Sequence, residues 1–315
     1  MGYEHASSSF AWKAGASITT VDVDSDLKPA YEEVRSGKGI VLVRGLPIGS
    51  LEQFVDAVWE AGKHFGDALS QNAQGELVTH VVDATAEDPT PRMYRSNLEL
   101  RPHSDITAMI SLACWQKAQS GGASVVVSGV TVHDEIHKRA PRLLEALYRG
   151  YYYHRLGEEA PDEEPATPYR VPVFAVVKEQ LSCRYQRAGI AAGHRERNVP
   201  LTDEDIEAFN LFDEIAKAPE NRLRFYLEHG EMMVINNYTV MHARTQFANF
   251  PEPERQRRLI RLWLDAPGFR DVPREFNLFK TNGVPPQSGK RASYDFRKLY
   301  AEDPVASGGL PRIDA

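Results

Sequence analysis

The chain is short of several things that would have fixed its class at once. It has two cysteines, Cys114 and Cys183, among 315 residues. That excludes a disulfide framework and fits a reduced, intracellular and cytoplasmic protein. It has no run of about 18 apolar residues, so no membrane span is expected. Its opening stretch, MGYEHASSSFAWKAG, lacks the apolar segment of a secretion signal. It has no basic excess: 37 Lys and Arg against 44 Asp and Glu give a net charge of −7, which argues against nucleic acid as a partner. No glycine-rich loop leads from a strand into a helix, so a nucleotide-binding fold is not expected. No internal repeat is visible.

What is present is a succession of short strands with helices gathered in a few places. Gly39–Val43 is a continuous apolar run of the kind that forms a buried strand. Ser50 caps a helix carrying Leu51, Phe54, Val55, Val58 and Phe65 at helical spacing. Strands are expected at 76–82, 106–118 and 124–127, and two short helices at 131–148, broken at Pro141. Tyr151–Tyr153 reads as a short strand, and 171–177 with 181–186 as a hairpin. Thr202 and Asp205 form a capping-box pattern ahead of a helix with Ile206, Phe209, Phe212 and Ile215 on one face. Strands at 231–235, 242–247 and 257–264 follow, with Asn236-Asn237 as a turn. The acidic, proline-rich segment 157–170 predicts a lid loop. Residues 266–315 read as an irregular wrap ending in disorder. The pattern predicts one domain over 1–315: a double-sheet β fold with flanking helices and a core at about 39–265.

The chemistry centres on YRSNLELRPHSD, residues 94–105. His103 and Asp105 stand two apart on extended chain and so face the same way. An imidazole and a carboxylate so placed can share one cation, and a third ligand would close one face of an octahedron. The pattern alone is weak, since four His-x-acid pairs occur: 103/105, 133/135, 194/196 and 229/231. About one or two are expected by chance. His242, in NNYTVMHARTQF, is the candidate third ligand. Downstream, Arg257 and Arg261 are four apart on a predicted strand and share a face with Leu259 and Trp263, while Leu262 and Leu264 take the other. Arginines among large apolar residues cannot stay unpaired, so they either meet internal acids or hold an anion. A guanidinium fork suits a carboxylate.

Taken together, these stretches resemble the taurine dioxygenase and clavaminate synthase-like family of Fe(II)/2-oxoglutarate-dependent oxygenases. The resemblance covers roughly Gly39 to Asp265. It rests on HSD at 103–105, GGAS at 121–124 and the long string GEMMVINNYTVMHARTQFANFPEPERQRRLIRLWLD at 230–265. It implies a double-stranded β-helix, or jelly-roll, cupin-like core. It also implies Fe(II) on His103, Asp105 and His242, with 2-oxoglutarate and O2 as cosubstrates. Ser124, where many members have Thr, and Arg257 would then bind 2-oxoglutarate, and Arg261 an acidic group of the prime substrate. Asp105 stands where halogenating members lack the carboxylate. The resemblance therefore implies hydroxylation, desaturation or cyclisation of an unactivated C–H bond.

Two other readings use the same three residues. A zinc-type metallohydrolase would need a separate general base and leaves the arginines without a task. A non-catalytic cupin-like module needs neither the full triad nor the 2-oxoglutarate contacts. The expected partner is a small molecule, such as an amino acid or another carboxylate, with no nucleic acid or membrane; a homo-oligomer is left open. Tyr94, Asn97, Arg101 and Asn237 are the further substrate candidates, with Tyr153, His154 and Asn236 as outlying ones.

Overall fold

The computed structural model describes residues 9–88, 92–279 and 281–288. The first part of the chain forms β1 (Thr19–Asp22), α1 (Lys28–Ser36), β2 (Ile40–Arg44), α2 (Leu51–Lys63), β3 (Asp67–Leu69), β4 (Val78–Val81), β5 (Leu100–His103), β6 (Met109–Gln116), β7 (Ser120–Gly121) and β8 (Ser124–Ser128). The middle forms α3 (Gly129–Arg139), α4 (Leu143–Arg149), β9 (Phe174–Val177), β10 (Gln180–Cys183), α5 (Arg187–Glu196) and α6 (Asp203–Lys217). β11 (Arg222–Phe225), β12 (Met232–Asn236), β13 (Val240–Arg244), β14 (Phe247–Ala248) and β15 (Arg258–Asp265) close the fold.

Two sheets carry the architecture. The larger has the order β1-β2-β12-β6-β15-β3, with β4 also paired to β15; the smaller has the order β11-β8-β13-β5. Neighbouring strands are mostly distant in sequence, as a jelly-roll requires. β15 shows how the sequence positions the interior. Leu262 and Leu264 turn toward α2, where a Cβ on Gly62 would lie 2.6 Å from Leu262 Cδ1, so only glycine lets helix and sheet approach that closely. Leu259 and Arg261 turn the other way, into the space between the sheets, where Leu112 and Met233 of the larger sheet face Ser124 and His242 of the smaller. Strand alternation thus divides one strand between a helix-packing face and a site-building face.

The caps expected from sequence are present. Ser50 accepts a hydrogen bond from the Gln53 amide, and Thr202 and Asp205 complete a reciprocal capping box. Several boundaries differ. The strand expected at 106–118 starts only at Met109, because Asn237 draws the carbonyls of Asp105 and Thr107 into a turn with bonds of 2.6 and 2.7 Å. The strand expected at 242–247 is two, β13 and β14, and begins earlier, at Val240. Tyr151–Tyr153 makes an isolated bridge from Tyr151 to Val171 and no strand. Helix α5, strands β1 and β11 and the short β3 and β7 had no strong period and were not expected. Of the C-terminal wrap, Phe269, Phe276, Leu278, Phe279 and Val284 are buried against the domain. The disorder expected at its end falls on residues 289–315, outside the described residues.

Candidate active site

Strand β5 ends at His103, and Asp105 lies just beyond it in irregular chain. Ser104 ties this turn down: its amide donates to the Tyr185 carbonyl at 2.9 Å, and its Oγ accepts from the Tyr185 amide at 3.0 Å. His242 sits on β13 directly opposite His103, with ring centroids 4.3 Å apart. Side chains of His103, Asp105 and His242 bring one ligand atom each to within 4.8 Å of one another, the one such cluster among the described residues. The rival histidines are otherwise engaged. His133 bonds the Tyr148 hydroxyl at 3.0 Å, His194 the Val199 carbonyl at 2.9 Å, and His229 packs edge-on against Trp115.

Each ligand candidate is held in a definite state. The Nδ1 of His103 lies 2.8 Å from the Arg101 carbonyl, which turns Nε2 toward Asp105, 3.5 Å from its Oδ1. Asp105 is the most constrained of the three. Its Oδ2 accepts from Trp263 Nε1 at 2.9 Å and from Arg261 Nη1 at 3.3 Å. Its main chain is fixed by Asn237 Oδ1 at 3.0 Å and by Arg184 Nη1 at 2.9 Å. Oδ1 is thereby left toward the imidazoles. Burial alone would raise the Asp105 carboxyl, but Arg261 and the hydrogen bond with His103 outweigh it and keep the group ionised. Burial, reinforced by His103, pushes the His242 imidazole down to about 3, so it is neutral. Two imidazoles and one carboxylate suit a divalent iron with three positions open to other ligands.

Two cavities meet at this cluster. Tyr94, Leu100, His103 and Arg261 line both. The smaller, between the sheets, ends at Ser124 and Arg257. Arg257 is 4% exposed, yet its guanidinium hydrogen-bonds to no described residue; its charge lies over the Phe247 ring, 5.0 Å from the centroid. The Gly121-Gly122 turn makes room for it. Both glycines have positive φ, and a Cβ on Gly122 would lie 3.1 Å from Arg257 Nε. Burial pushes the Arg257 pKa down to about 10, which still leaves it charged near neutrality. A buried cation with no counter-charge fits an anionic guest, so these residues fit the distal carboxylate of 2-oxoglutarate.

The substrate candidates divide. Tyr94, on a 3-10 turn, lies under the Arg261 guanidinium at 4.5 Å, and Arg101, Tyr153 and His154 line the larger cavity. Arg261 also lines it, with Nη1 on Asp105 and Nε on Gln71 Oε1 at 2.7 Å. Of the two alternatives the sequence leaves open for it, an internal acid or an anionic guest, the structure shows an internal acid beside it, Asp105. Asn237 is not a substrate contact here, a correction to the sequence reading: it is 1% exposed, with its amide spent on the backbone around Asp105. Asn236 likewise bonds the Val34 carbonyl and the Tyr238 amide. Asn97 lines neither cavity and receives the Phe247 amide on its carbonyl.

Sequence reasoning missed Gln71, Arg184, Arg244 and the Trp263 bond to Asp105. Trp263 was on the right face by parity, and Arg244, two residues after His242, could have been found the same way. Gln71 and Arg184 come from remote segments and carried no local signal.

Fold and site together define a jelly-roll oxygenase of the Fe(II)/2-oxoglutarate-dependent class. The chain belongs to the taurine catabolism dioxygenase TauD, TfdA family, whose model matches residues 5–263. It is 31% identical to FR-33289 synthase of Streptomyces rubellomurinus over 77% of this chain and 73% of that protein. It is 24% identical to the taurine hydroxylase-like protein SAT17 of Stachybotrys chartarum over 75% of this chain and 63% of that protein. Among solved structures, an asparagine oxygenase with Fe(II), 3-hydroxyasparagine and succinate superposes with a TM-score of 0.58 at 17% identity, covering 76% of this chain and 78% of that one. The non-heme iron oxygenase OrfP with Fe and α-ketoglutaric acid gives 0.55 at 12% identity over 76% and 79%. These structural likenesses show the shared fold. No described helix is long and apolar enough to cross a membrane.

Proposed function

We propose that His103, Asp105 and His242 hold the Fe(II), that Arg257 and Ser124 seat the distal carboxylate of 2-oxoglutarate in the smaller cavity, and that the larger cavity takes a small polar substrate. The observation that carries this reading is the position of the three-residue cluster in the wall between the two cavities, one of which ends in an uncompensated arginine. When bound, the iron with 2-oxoglutarate and O2 supplies an oxidant able to remove hydrogen from an unactivated C–H bond. The protein's own part is orientation. His103 presents Nε2 because Arg101 holds its other nitrogen, and Asp105 presents Oδ1 because Trp263 and Arg261 hold Oδ2.

The substrate we propose is an amino acid or a related small carboxylate that undergoes hydroxylation, desaturation or cyclisation. The larger cavity is lined by charges of both signs, Arg101 and Arg184 with Glu99 and Glu158, the last ion-paired to Arg92, a lining that suits a zwitterion. Arg184 is 2% exposed and, among the described residues, has no carboxylate partner and leaves Nε without a hydrogen bond. The structural neighbours that bind 3-hydroxyasparagine and 3-hydroxy-L-Arg point the same way. Segment 157–170 would cover the substrate: Glu158, at the cavity wall, accepts the Ala73 amide at 2.6 Å.

The test is a turnover screen against metabolite pools, reading succinate release and substrate oxidation by mass spectrometry. His103→Ala, Asp105→Ala and His242→Ala should each abolish iron-dependent turnover, and full activity in any of them would remove the ligand assignment. Arg257→Lys keeps the charge but loses the fork. It should raise the 2-oxoglutarate requirement by about 1–3 kcal/mol, roughly 5- to 150-fold.

A further inference from the structure

The smaller cavity contains a second arginine. Arg244, on β13, lines it beside Arg257 and is 5% exposed. Its donors split into two groups. Nη2 donates to the carbonyls of Ser96 and Leu98, at 2.7 and 2.5 Å. Nε and Nη1 are buried with no hydrogen-bond partner among the described residues. Asp83 is the acid whose charge reaches it, but Asp83 makes no ion pair with it and bonds Thr85 instead. Arg244 and Arg257 lie over the same ring, Phe247, at 4.8 and 5.0 Å from its centroid. Two guanidiniums share one aromatic ring, and no carboxylate answers either among the described residues.

Leaving two buried cations side by side is costly unless an anion joins them. A single carboxylate has two oxygens, each able to accept from a separate guanidinium. We infer that Arg244 is a second seat for the distal carboxylate of 2-oxoglutarate and that, through Nη2, it couples occupancy of that seat to the order of the 92–101 segment. This inference rests on the seat proposed for Arg257. The segment it would steady carries Tyr94, Leu100 and Arg101, which line the larger cavity, and leads directly into His103. A β-bulge between His242 and Arg244 gives the offset: His242 pairs with His103, but Arg244 pairs with Leu100, three residues back. One strand thus sends an imidazole to the metal cluster and a guanidinium to the neighbouring carboxylate seat. The consequence is coupling, in which a carboxylate in this seat tightens the substrate wall through Ser96 and Leu98. By linkage, substrate then tightens 2-oxoglutarate equally.

The experiment compares two 2-oxo acids bound without oxygen to the Fe(II)-loaded enzyme: 2-oxoglutarate, and 2-oxovalerate, which lacks the distal carboxylate. In Arg244→Lys, 2-oxoglutarate should bind at least 10-fold more weakly than in wild type, while 2-oxovalerate binds the two proteins alike. In the wild-type protein, hydrogen exchange of the 92–101 amides should slow on adding 2-oxoglutarate and not on adding 2-oxovalerate. That second measurement needs no variant, so it stands even if Arg244→Lys folds poorly. Equal losses for both acids in Arg244→Lys, unchanged 2-oxoglutarate affinity, or exchange that ignores the distal carboxylate would each overturn the inference. Unchanged affinity in Arg257→Lys would remove the carboxylate seat itself, and this inference with it. Unchanged affinity in Arg244→Lys alone would remove only the inference.

Discussion

Trp263→Phe isolates how much the protein gains by fixing its carboxylate ligand. The substitution keeps an aromatic ring in the interior and removes one hydrogen bond, Trp263 Nε1 to Asp105 Oδ2 at 2.9 Å. Trp263 is 5% exposed, so water cannot easily replace the lost donor. What remains on Oδ2 is the longer contact from Arg261 Nη1 at 3.3 Å. A hydrogen bond to a charged group contributes about 1.5–3 kcal/mol. Outer-shell partners of metal ligands typically account for about 10- to 100-fold in affinity, or about 1.4–2.7 kcal/mol, so the two scales agree. Fe(II) affinity should therefore fall by about that factor, measured by anaerobic competition with a chelator of known strength. The smaller ring also leaves a void that costs apo stability, about 1 kcal/mol, and thermal denaturation without metal reads that separately. An Fe(II) dissociation constant within about twofold of wild type would refute the reasoning, for the Asp105 orientation would then not depend on the indole.

Three further outcomes are expected. Asn237→Ala strips bonds from the Asp105 amide and from the carbonyls of Asp105 and Thr107. It should destabilise the apo protein by about 2–4 kcal/mol in urea denaturation, and lost stability without lost metal affinity would show that the turn does not position Asp105. Gly122→Ala places a Cβ 3.1 Å from Arg257 Nε at a residue with φ of +72°. It should cost about 1–2 kcal/mol from the backbone alone and raise the 2-oxoglutarate dissociation constant as well, as calorimetric titration would reveal. Acid sensitivity follows from His242, whose folded pKa of about 3 lies below its ordinary value of 6.5. Between those values the unfolded chain binds the extra proton, so stability rises with pH there by up to about 1.4 kcal/mol per unit. Urea midpoints of apo protein should fall as pH drops below about 6.5, and His242→Asn should flatten that fall; an equally steep profile in the variant would reject this origin.

Local sequence determined a good deal of this protein. A strand and its turn read out their own side-chain direction, so HSD at 103–105 and the alternation of Arg257, Leu259, Arg261 and Trp263 could be assigned to faces without coordinates. The caps at Ser50 and Thr202 depend on neighbours within a few residues and appeared where the sequence puts them. The glycines at 121 and 122 stand out in the GGAS stretch, although what they make room for is not visible there. Tertiary structure decided everything that depends on which remote segments meet. Arg261 has the same local surroundings whether it reads a substrate or an internal acid. Only the packing of β15 beside the 103–105 turn commits it to Asp105. Asn237 looked like a turn residue open to a substrate because asparagine pairs mark turns; in the fold it closes a turn 132 residues away and is buried by doing so. Arg184 reaches Asp105 from beyond β10, and Gln71 reaches Arg261 across 190 residues of chain. Periodicity records only neighbours along one strand or helix, and these partners share neither; their proximity is a property of the two-sheet topology.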